Sequence, residues 1–173
     1  MIAALIRSGV GLFLTLGLAG AGVATAGSGP SGTPEDVAQA FMPRVERVIG
    51  ELAVDPERLS VRANRCSDTE RDDVFYIWIG LRARAPAGDA GAQLRNLHDA
   101  WKKQGWEVTR YRLLDNGGVN IAARDPETGD SHALDSGFRT GPEHDIVGFF
   151  NTPCFRNPDG TTAFGHMFDR APG

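Results

Sequence analysis

Hydrophobic and polar residues alternate most regularly between Val74 and Arg84, in the segment VFYIWIGLRAR. Alternation with a period of two, in a segment rich in β-branched and aromatic residues, predicts a strand that buries one face in the core. The predicted core positions are Phe75, Ile77, Ile79, Leu81 and Ala83. The opposite face carries Tyr76, Trp78 and Arg82, although a strand face in contact with water usually carries small or polar residues.

The segment between residues 93 and 138 predicts one helix followed by three strands. Apolar residues recur at helical spacing from Leu94 to Trp101, and Gly105 is placed to end the helix in the left-handed conformation. Trp106 then packs back on Trp101, as a Schellman cap requires. A tight primed turn at Asn116-Gly117 and a longer loop over residues 125–130 join the strands into hairpins. Val119, Ile121 and Ala123 share one face of the second strand. One face of the third strand carries His132, Leu134 and Phe138, with His132 predicted to be a partly buried polar residue.

A helix is also predicted near the start of the chain. Thr33 can cap its free amides, and Pro34 suits the first helical position. Pro43 removes a backbone hydrogen bond, which predicts a kink or a restart there. Further strands are predicted from Leu59 to Cys66 and from Ile146 to Asn151.

Together these elements predict an α+β fold, with an antiparallel sheet of about six strands and two helices packed on one face. The single domain spans residues 34–154. Residues 27–33 (GSGPSGT) have the composition of a flexible tether. Residues 155–173 are predicted to be a C-terminal tail, whose phenylalanines pack on the domain or which is otherwise disordered.

The first 26 residues have the three-part pattern of a secretory signal peptide. Arg7 precedes an apolar run from Val10 to Leu18, and the segment ends in Ala24-Thr25-Ala26. Cleavage after Ala26 would leave a secreted or extracytoplasmic chain without a stable membrane span. The alternative is an uncleaved anchor, but the strongly apolar run has only about half the length that a span requires.

The two cysteines, Cys66 and Cys154, both lie in the part of the chain that is predicted to be exported. An isolated pair in an oxidising compartment predicts a structural disulfide. The alternative is a catalytic or metal-binding pair. Neither cysteine belongs to a CxxC motif, and neither has a histidine nearby in sequence.

The chain contains 18 basic and 22 acidic residues, which gives a net charge of −4. This mild, dispersed charge lacks the basic footprint of a nucleic-acid-binding protein and the polybasic face that binds anionic lipid. No nucleophile elbow, phosphate-binding loop or HExxH motif is present. No catalytic residue and no cofactor are therefore predicted.

Metal binding is also not predicted. The histidines are scattered over the chain without ligand spacing: His98, His132, His144 and His166. Asp125, Glu127 and Asp130 invite a calcium interpretation, but their spacing differs from the EF-hand pattern, and a hairpin turn accounts for the same residues.

Three short motifs resemble those of small exported proteins from high-GC Gram-positive bacteria, many of which are lipoproteins of unknown function. The motifs are WxxxGWxVxR (Trp101 to Arg110), DPxTG (Asp125 to Gly129) and TPC (Thr152 to Cys154). The resemblance covers the middle and end of the mature chain and implies export. The lipobox cysteine of such lipoproteins is absent here, and the resemblance supplies no catalytic residues.

The leading functional hypothesis is a secreted, non-enzymatic domain that binds a protein, a glycan or a small ligand at or outside the cell envelope. Its binding face would contain Tyr76, Trp78 and Arg82, since surfaces that combine aromatic residues with arginine are typical of interfaces. Tyr111, with Arg110 or Arg112, could extend that face from another strand. The alternative for this face is that the C-terminal tail covers it.

Two other functions are compatible with the sequence. One is an extracytoplasmic hydrolase whose site is assembled from dispersed residues, with His132, His144 or Asp135 as candidates. The other is an inhibitor of a secreted enzyme that acts through the charged loop at residues 67–73.

Overall fold

The structure is a computed structural model that describes residues 29–67, 71–85, 89–137 and 144–170. The predicted signal peptide, with its cleavage site at Ala26, lies outside the described residues. So do Phe138, residues 68–70 of the charged loop and the last three residues of the chain.

The described residues form two helices and eight strands. In chain order they are α1 Pro34–Leu52, β1 Asp55–Arg65, β2 Val74–Arg84, α2 Ala90–Lys103, β3 Glu107–Leu113, β4 Val119–Arg124, β5 Ser131–Asp135, β6 Asp145–Asn151, β7 Phe155–Arg156 and β8 Gly165–Arg170. The predicted α+β class is confirmed, and β2 has the bounds that the alternating pattern predicted.

All eight strands belong to one sheet, and every pair of neighbouring strands is antiparallel. The strand order is β3-β4-β5-β6-β2-β1-β8, with β7 paired to β2 outside this path. The predicted number of about six strands is too low, because β7 and β8 lie in the segment that is predicted to be a C-terminal tail. β7 has only two residues, and the side chains of the edge strand β8 are mostly exposed, so neither has a hydrophobic alternation to recognise.

A single core cluster joins the helices to the sheet. Alternate residues of β2 are each at most 3% exposed: Phe75, Ile77, Ile79, Leu81 and Ala83. Phe41 and Leu52 of α1 and Leu94 and Trp101 of α2 belong to the same cluster. The remaining alternate residues of β2 are consequently directed away from this core.

α1 begins and α2 ends at the predicted positions, whereas α2 begins at Ala90, before the first apolar residue of the predicted helix, Leu94. The Thr33 hydroxyl oxygen accepts a hydrogen bond from the Asp36 amide, and α1 continues through Pro43 without a restart. At the end of α2, Gly105 adopts a φ of 82° and the Trp106 amide donates to the Trp101 carbonyl at 2.9 Å. The two indole rings stack with centroids 5.1 Å apart, which confirms the predicted Schellman cap.

The first hairpin loop differs from the predicted tight primed turn. A primed turn at Asn116-Gly117 needs positive φ at both residues, but Gly117 alone has it, at 83°. The Leu114 amide donates to the Gly118 carbonyl and the Gly117 amide to the Leu114 carbonyl, so the loop contains three residues. Asn116 instead uses its side chain, which donates to the Gly137 carbonyl at 2.8 Å.

Part of the predicted tether is paired with the chain after β6. The Gly32 amide donates to the Arg156 carbonyl at 3.1 Å, and the Arg156 amide donates to the Pro30 carbonyl at 2.9 Å. These bonds explain why residues 30–32 follow a defined path despite a composition typical of linkers.

The predicted disulfide is present between Cys66, at the end of β1, and Cys154, between β6 and β7. The two Cα atoms are 6.1 Å apart, within the range that a disulfide can bridge. Disulfides persist mainly in oxidising compartments, so the bond is consistent with an extracytoplasmic protein.

Removal of the disulfide should lower the free energy of unfolding, because the bond closes a loop over a sequence separation of 88 residues. A Cys66→Ser/Cys154→Ser variant should lose about 2–4 kcal/mol in urea denaturation under oxidising conditions. The wild type should lose a similar amount after reduction, whereas the variant should not respond to the reductant. Recovery of two free thiols by non-reducing peptide mapping would contradict the bond.

Candidate functional site

The strongest candidate site is the side of the sheet that carries Tyr76, Trp78, Gly80 and Arg82, which we call the Trp78 face. Tyr76 and Trp78 are half-buried and Arg82 is exposed. β2 lies inside the sheet, between β6 and β1, so this face is flanked by paired strands on both sides. The three residues predicted to form a binding face are therefore brought together near the middle of the sheet.

The indole ring of Trp78 lies along β2, over Gly80, and does not project away from the sheet. A Cβ atom at position 80 would overlap the Cη2 atom of the indole and lie 2.8 Å from its Cζ3 atom, so only glycine leaves room for the ring. Phe149 of β6 is the register partner of Gly80, and its ring is 5.6 Å from that of Trp78 at an interplanar angle of 28°. Trp78 and Phe149 form an aromatic pair, and Phe149 is 45% exposed.

An open depression of about 310 Å³ lies beside this pair. Its lining residues come from β1, β2 and β6: Arg58, Ser60, Trp78, Gly80, Leu81, Arg82, Val147 and Phe149. Arg58 and Arg82 are the charged residues of this lining. The depression therefore combines an apolar aromatic wall with positive charge.

Carboxylates hold both arginines from outside the depression. Glu57 pairs with Arg82 at 3.1 Å, and Asp169 of β8 pairs with Arg58 at 2.6 Å. Hydrogen bonds from His166 and from Arg58 lower the pKa of Asp169 to about 2, so this carboxylate stays ionised. Each bridge uses part of a guanidinium that has five N–H donors, so donors remain for a ligand.

Further arginines share the Trp78 face. Residues that are directly paired on neighbouring strands lie on the same face of a sheet, and the register pairs Arg62 with Trp78. The same register, followed across β6, β5 and β4, places three more exposed arginines on this side of the sheet: Arg110, Arg112 and Arg124.

Tyr111 does not join this face, contrary to the suggestion drawn from the sequence. Its ring stacks on His98 of α2 at 4.2 Å, which places it on the side of the sheet that α2 covers. The bulge between Val108 and Arg110 sets which residues of β3 face the helix.

The described part of the tail extends the sheet instead of covering the Trp78 face. β7 pairs with the beginning of β2, and β8 pairs with β1 along its other edge. Phe155, Phe164 and Met167 pack against the core cluster. None of residues 155–170 lines the depression beside Trp78.

A second concave region lies around His132 of β5. His132 is 2% exposed and surrounded by aromatic rings, with the Trp106 ring at 5.2 Å and the Phe150 ring at 5.3 Å. The nearby Asp130 is buried and forms a bidentate pair with Arg44, at 2.6 and 3.2 Å. This cleft has a volume of about 280 Å³.

Burial determines the charge of His132. Desolvation lowers its pKa to about 4, and the negative charges of Asp130 and Asp125 only partly oppose this shift. His132 is therefore neutral at pH 7. Its Nδ1 atom and the Nε1 atom of Trp101 have no hydrogen-bond partner among the described residues.

The hydrolase candidates are not brought together. Asp135 lies three residues beyond His132 on β5, and hence on the opposite face of the sheet. His144 precedes β6, whereas His132 pairs with Phe150, so the two histidines are about 20 Å apart along the strands. The residues that line the His132 cleft include no serine, threonine or cysteine to serve as a nucleophile.

The acidic loop after β4 has a structural role. Asp125 accepts hydrogen bonds from the Glu127 amide at 2.8 Å and from the Thr128 hydroxyl at 3.0 Å. Gly129 adopts a φ of 74°, as the predicted hairpin loop requires. Within the described ranges, no group of three or more histidine, cysteine, aspartate or glutamate residues is arranged to hold a metal ion.

Neither helix of the described part of the chain has the length and apolar composition needed to cross a membrane. Comparison of the chain with protein-family models, curated proteins and solved structures finds no match. The assignment of a function therefore depends on the geometry of the chain itself.

Sequence reasoning missed three contributors to the Trp78 face: Gly80, Phe149 and Arg58. Phe149 and Arg58 belong to the face through strand register, which the sequence pattern does not specify. Gly80 did carry a signal, because a glycine within a strong strand often marks a close approach to its backbone.

His132 should make stability depend on pH. Its pKa is lower in the folded chain than in the unfolded chain, so the unfolded state binds a proton first as pH falls. The contribution of His132 to the free energy of unfolding is fully present above about pH 6.5. It should fall by about 2 kcal/mol as the pH drops from 6.5 to 5. Urea denaturation of the wild type and His132→Phe should show a flatter pH profile for the variant over this window. Equal slopes would contradict the assignment.

Trp78 should contribute much less to stability than Trp101. Trp101 is fully buried, and Trp101→Ala should cost about 3–5 kcal/mol. Trp78→Ala removes a half-buried ring from an open face and should cost about 1–2 kcal/mol in the same denaturation experiment. A loss as large as that of Trp101→Ala would show that Trp78 is a core residue.

Proposed function

We propose that this protein is an extracytoplasmic, non-enzymatic binding domain that engages its partner through the Trp78 face. The observation that carries the proposal is the aromatic pair of Trp78 and Phe149 beside Arg58 and Arg82 on a sheet surface. Aromatic residues and arginine are the types most enriched in binding interfaces.

The arrangement of the layers supports this assignment. Both helices contribute to the core cluster that the opposite side of β2 joins, from which we infer that both cover the same face of the sheet. The Trp78 face is then the side that no helix covers. An antiparallel sheet can leave one face in water, but that face normally lacks large aromatic residues.

Export is part of the proposal. It is supported by the signal-peptide pattern of residues 1–26, by the disulfide and by the resemblance to small exported proteins of high-GC Gram-positive bacteria. A soluble domain released after cleavage at Ala26 would meet partners at the cell envelope or beyond it.

A binding role accounts for the described residues better than catalysis does. The His132 cleft contains a neutral histidine enclosed by aromatic rings and a buried aspartate already paired with Arg44. Both arrangements are explained by packing and charge compensation. General acid–base catalysis would also need a substrate group within hydrogen-bond reach of the histidine.

Arrays of glycans and peptides, probed with the purified protein and three variants, would test the proposed face. Ligands retained by the wild type should be lost by Trp78→Ala and by Gly80→Ala, because the added Cβ displaces the indole without removing any charge. Tyr111→Ala is the matched control, since Tyr111 is also an exposed aromatic residue but lies on the side of α2.

Thermal unfolding should show that all three variants are folded. Ligands that bind the wild type, Trp78→Ala and Gly80→Ala equally well would place the site elsewhere. Turnover of a bound substrate that is abolished by His132→Phe would favour the hydrolase instead.

A further inference from the structure

We propose that the occupant of the Trp78 face is an acidic polysaccharide that contains uronic acid residues. The inference rests on the proposed binding function and specifies the chemistry of the partner. It follows from three features of the face, namely its aromatic pair, its two adjacent arginines and the arginines that extend beyond the depression.

The first feature is the pairing of an apolar surface with positive charge inside one depression. The ring surface of Trp78 and Phe149 lies beside Arg58 and Arg82, and no acidic residue lines the same space. A uronic acid ring carries C–H groups that pack on aromatic rings, and it carries a carboxylate on the same ring. One sugar unit can therefore contact both parts of the depression.

The second feature is the direct opposition of Arg58 and Arg82. These residues are register partners on β1 and β2, so their Cβ atoms are about 5 Å apart. Like charges directly opposite each other destabilise a sheet, and Glu57 and Asp169 compensate them from outside the depression. An anion between the guanidinium groups would add favourable charge, and arginine binds carboxylates in bidentate geometry.

The third feature is the extent of positive charge along the sheet. Arg62 lies beside Trp78, and Arg110, Arg112 and Arg124 lie on the same side at the other end of the sheet, where Glu107 and Asp135 offset part of their charge. A small ligand with one carboxylate would use only the central pair. A polymer with repeated carboxylates can reach several of these arginines.

The shape of the site also favours a polymer. Sites for small molecules are concave and bury most of the ligand, whereas the depression beside Trp78 is open and lies on a sheet surface. A chain can pass across such a surface with one sugar seated at the aromatic pair. The oxidising environment that the disulfide indicates favours a glycan over a nucleic acid.

Isothermal titration calorimetry with short oligomers of glucuronic acid tests this proposal in the purified protein. Trp78→Ala and Arg82→Ala should each weaken binding about tenfold or more, as expected for loss of an aromatic contact or a charge-assisted hydrogen bond. Added salt should weaken binding further by screening the arginines. The same oligomers with their carboxylates reduced to alcohols should bind at least about tenfold more weakly.

The matched controls are Tyr111→Ala and Arg95→Ala. Arg95 of α2 is 44% exposed and paired with Asp89, and Arg82 is 45% exposed and paired with Glu57. Both control variants should bind the oligomer as the wild type does. Equal weakening by Arg95→Ala and Arg82→Ala would overturn the assignment, because charge at any position would then suffice.

Two other anionic polymers complete the test. Single-stranded DNA or polyglutamate that binds more tightly than the uronic acid oligomer, and depends on Trp78, would overturn the glycan assignment while leaving the proposed binding face intact. Failure of the uronic acid oligomer to bind would also overturn it. The arrays with Gly80→Ala would then decide separately whether the face binds another partner.

Discussion

The other elements depend on the burial of one side of β2. This strand lies inside the sheet and contacts more of the fold than either edge strand does. It pairs with β1, β6 and β7, and its alternate residues from Phe75 to Ala83 are almost completely buried. Helices α1 and α2 pack their apolar residues into the same cluster. Loss of β2 would separate the sheet into two halves and remove part of the surface on which the helices pack.

The same alternation determines the other side of the strand. A shift of the register by one residue would exchange the two faces, so burial of Ile77 and Ile79 necessarily directs Trp78 and Gly80 away from the core. The antiparallel pairing then places Phe149 and Arg58 beside them. The packing that stabilises the core thus determines which positions of the chain share the Trp78 face.

Local patterns predicted most of the fold, and long-range pairing accounts for what they missed. Gly105 and Trp106 identified the end of α2 because a Schellman cap is built from neighbouring residues. β8 was missed because its residues are held at the edge by β1, and a local pattern contains no information about that partner. Alternation alone placed Tyr76, Trp78 and Arg82 on one side of β2, whereas the neighbours Phe149 and Arg58 required the register. Tyr111 was misplaced because a bulge in β3 interrupts the alternation before it.

The Trp78 face contains two features that are unfavourable by local rules, a glycine inside a strand and a pair of opposed arginines. Glycine weakens the interior of a strand, yet Gly80 lies in the most regular strand of the chain. Arg58 and Arg82, which carry the same charge, lie directly opposite each other on β1 and β2, two residues along β2 from Gly80. Local rules are broken most often where a protein has a functional requirement that packing does not impose. The glycine makes room for Trp78, and the opposed arginines concentrate positive charge beside it, so a site for an anionic ligand gives both departures a common physical reason.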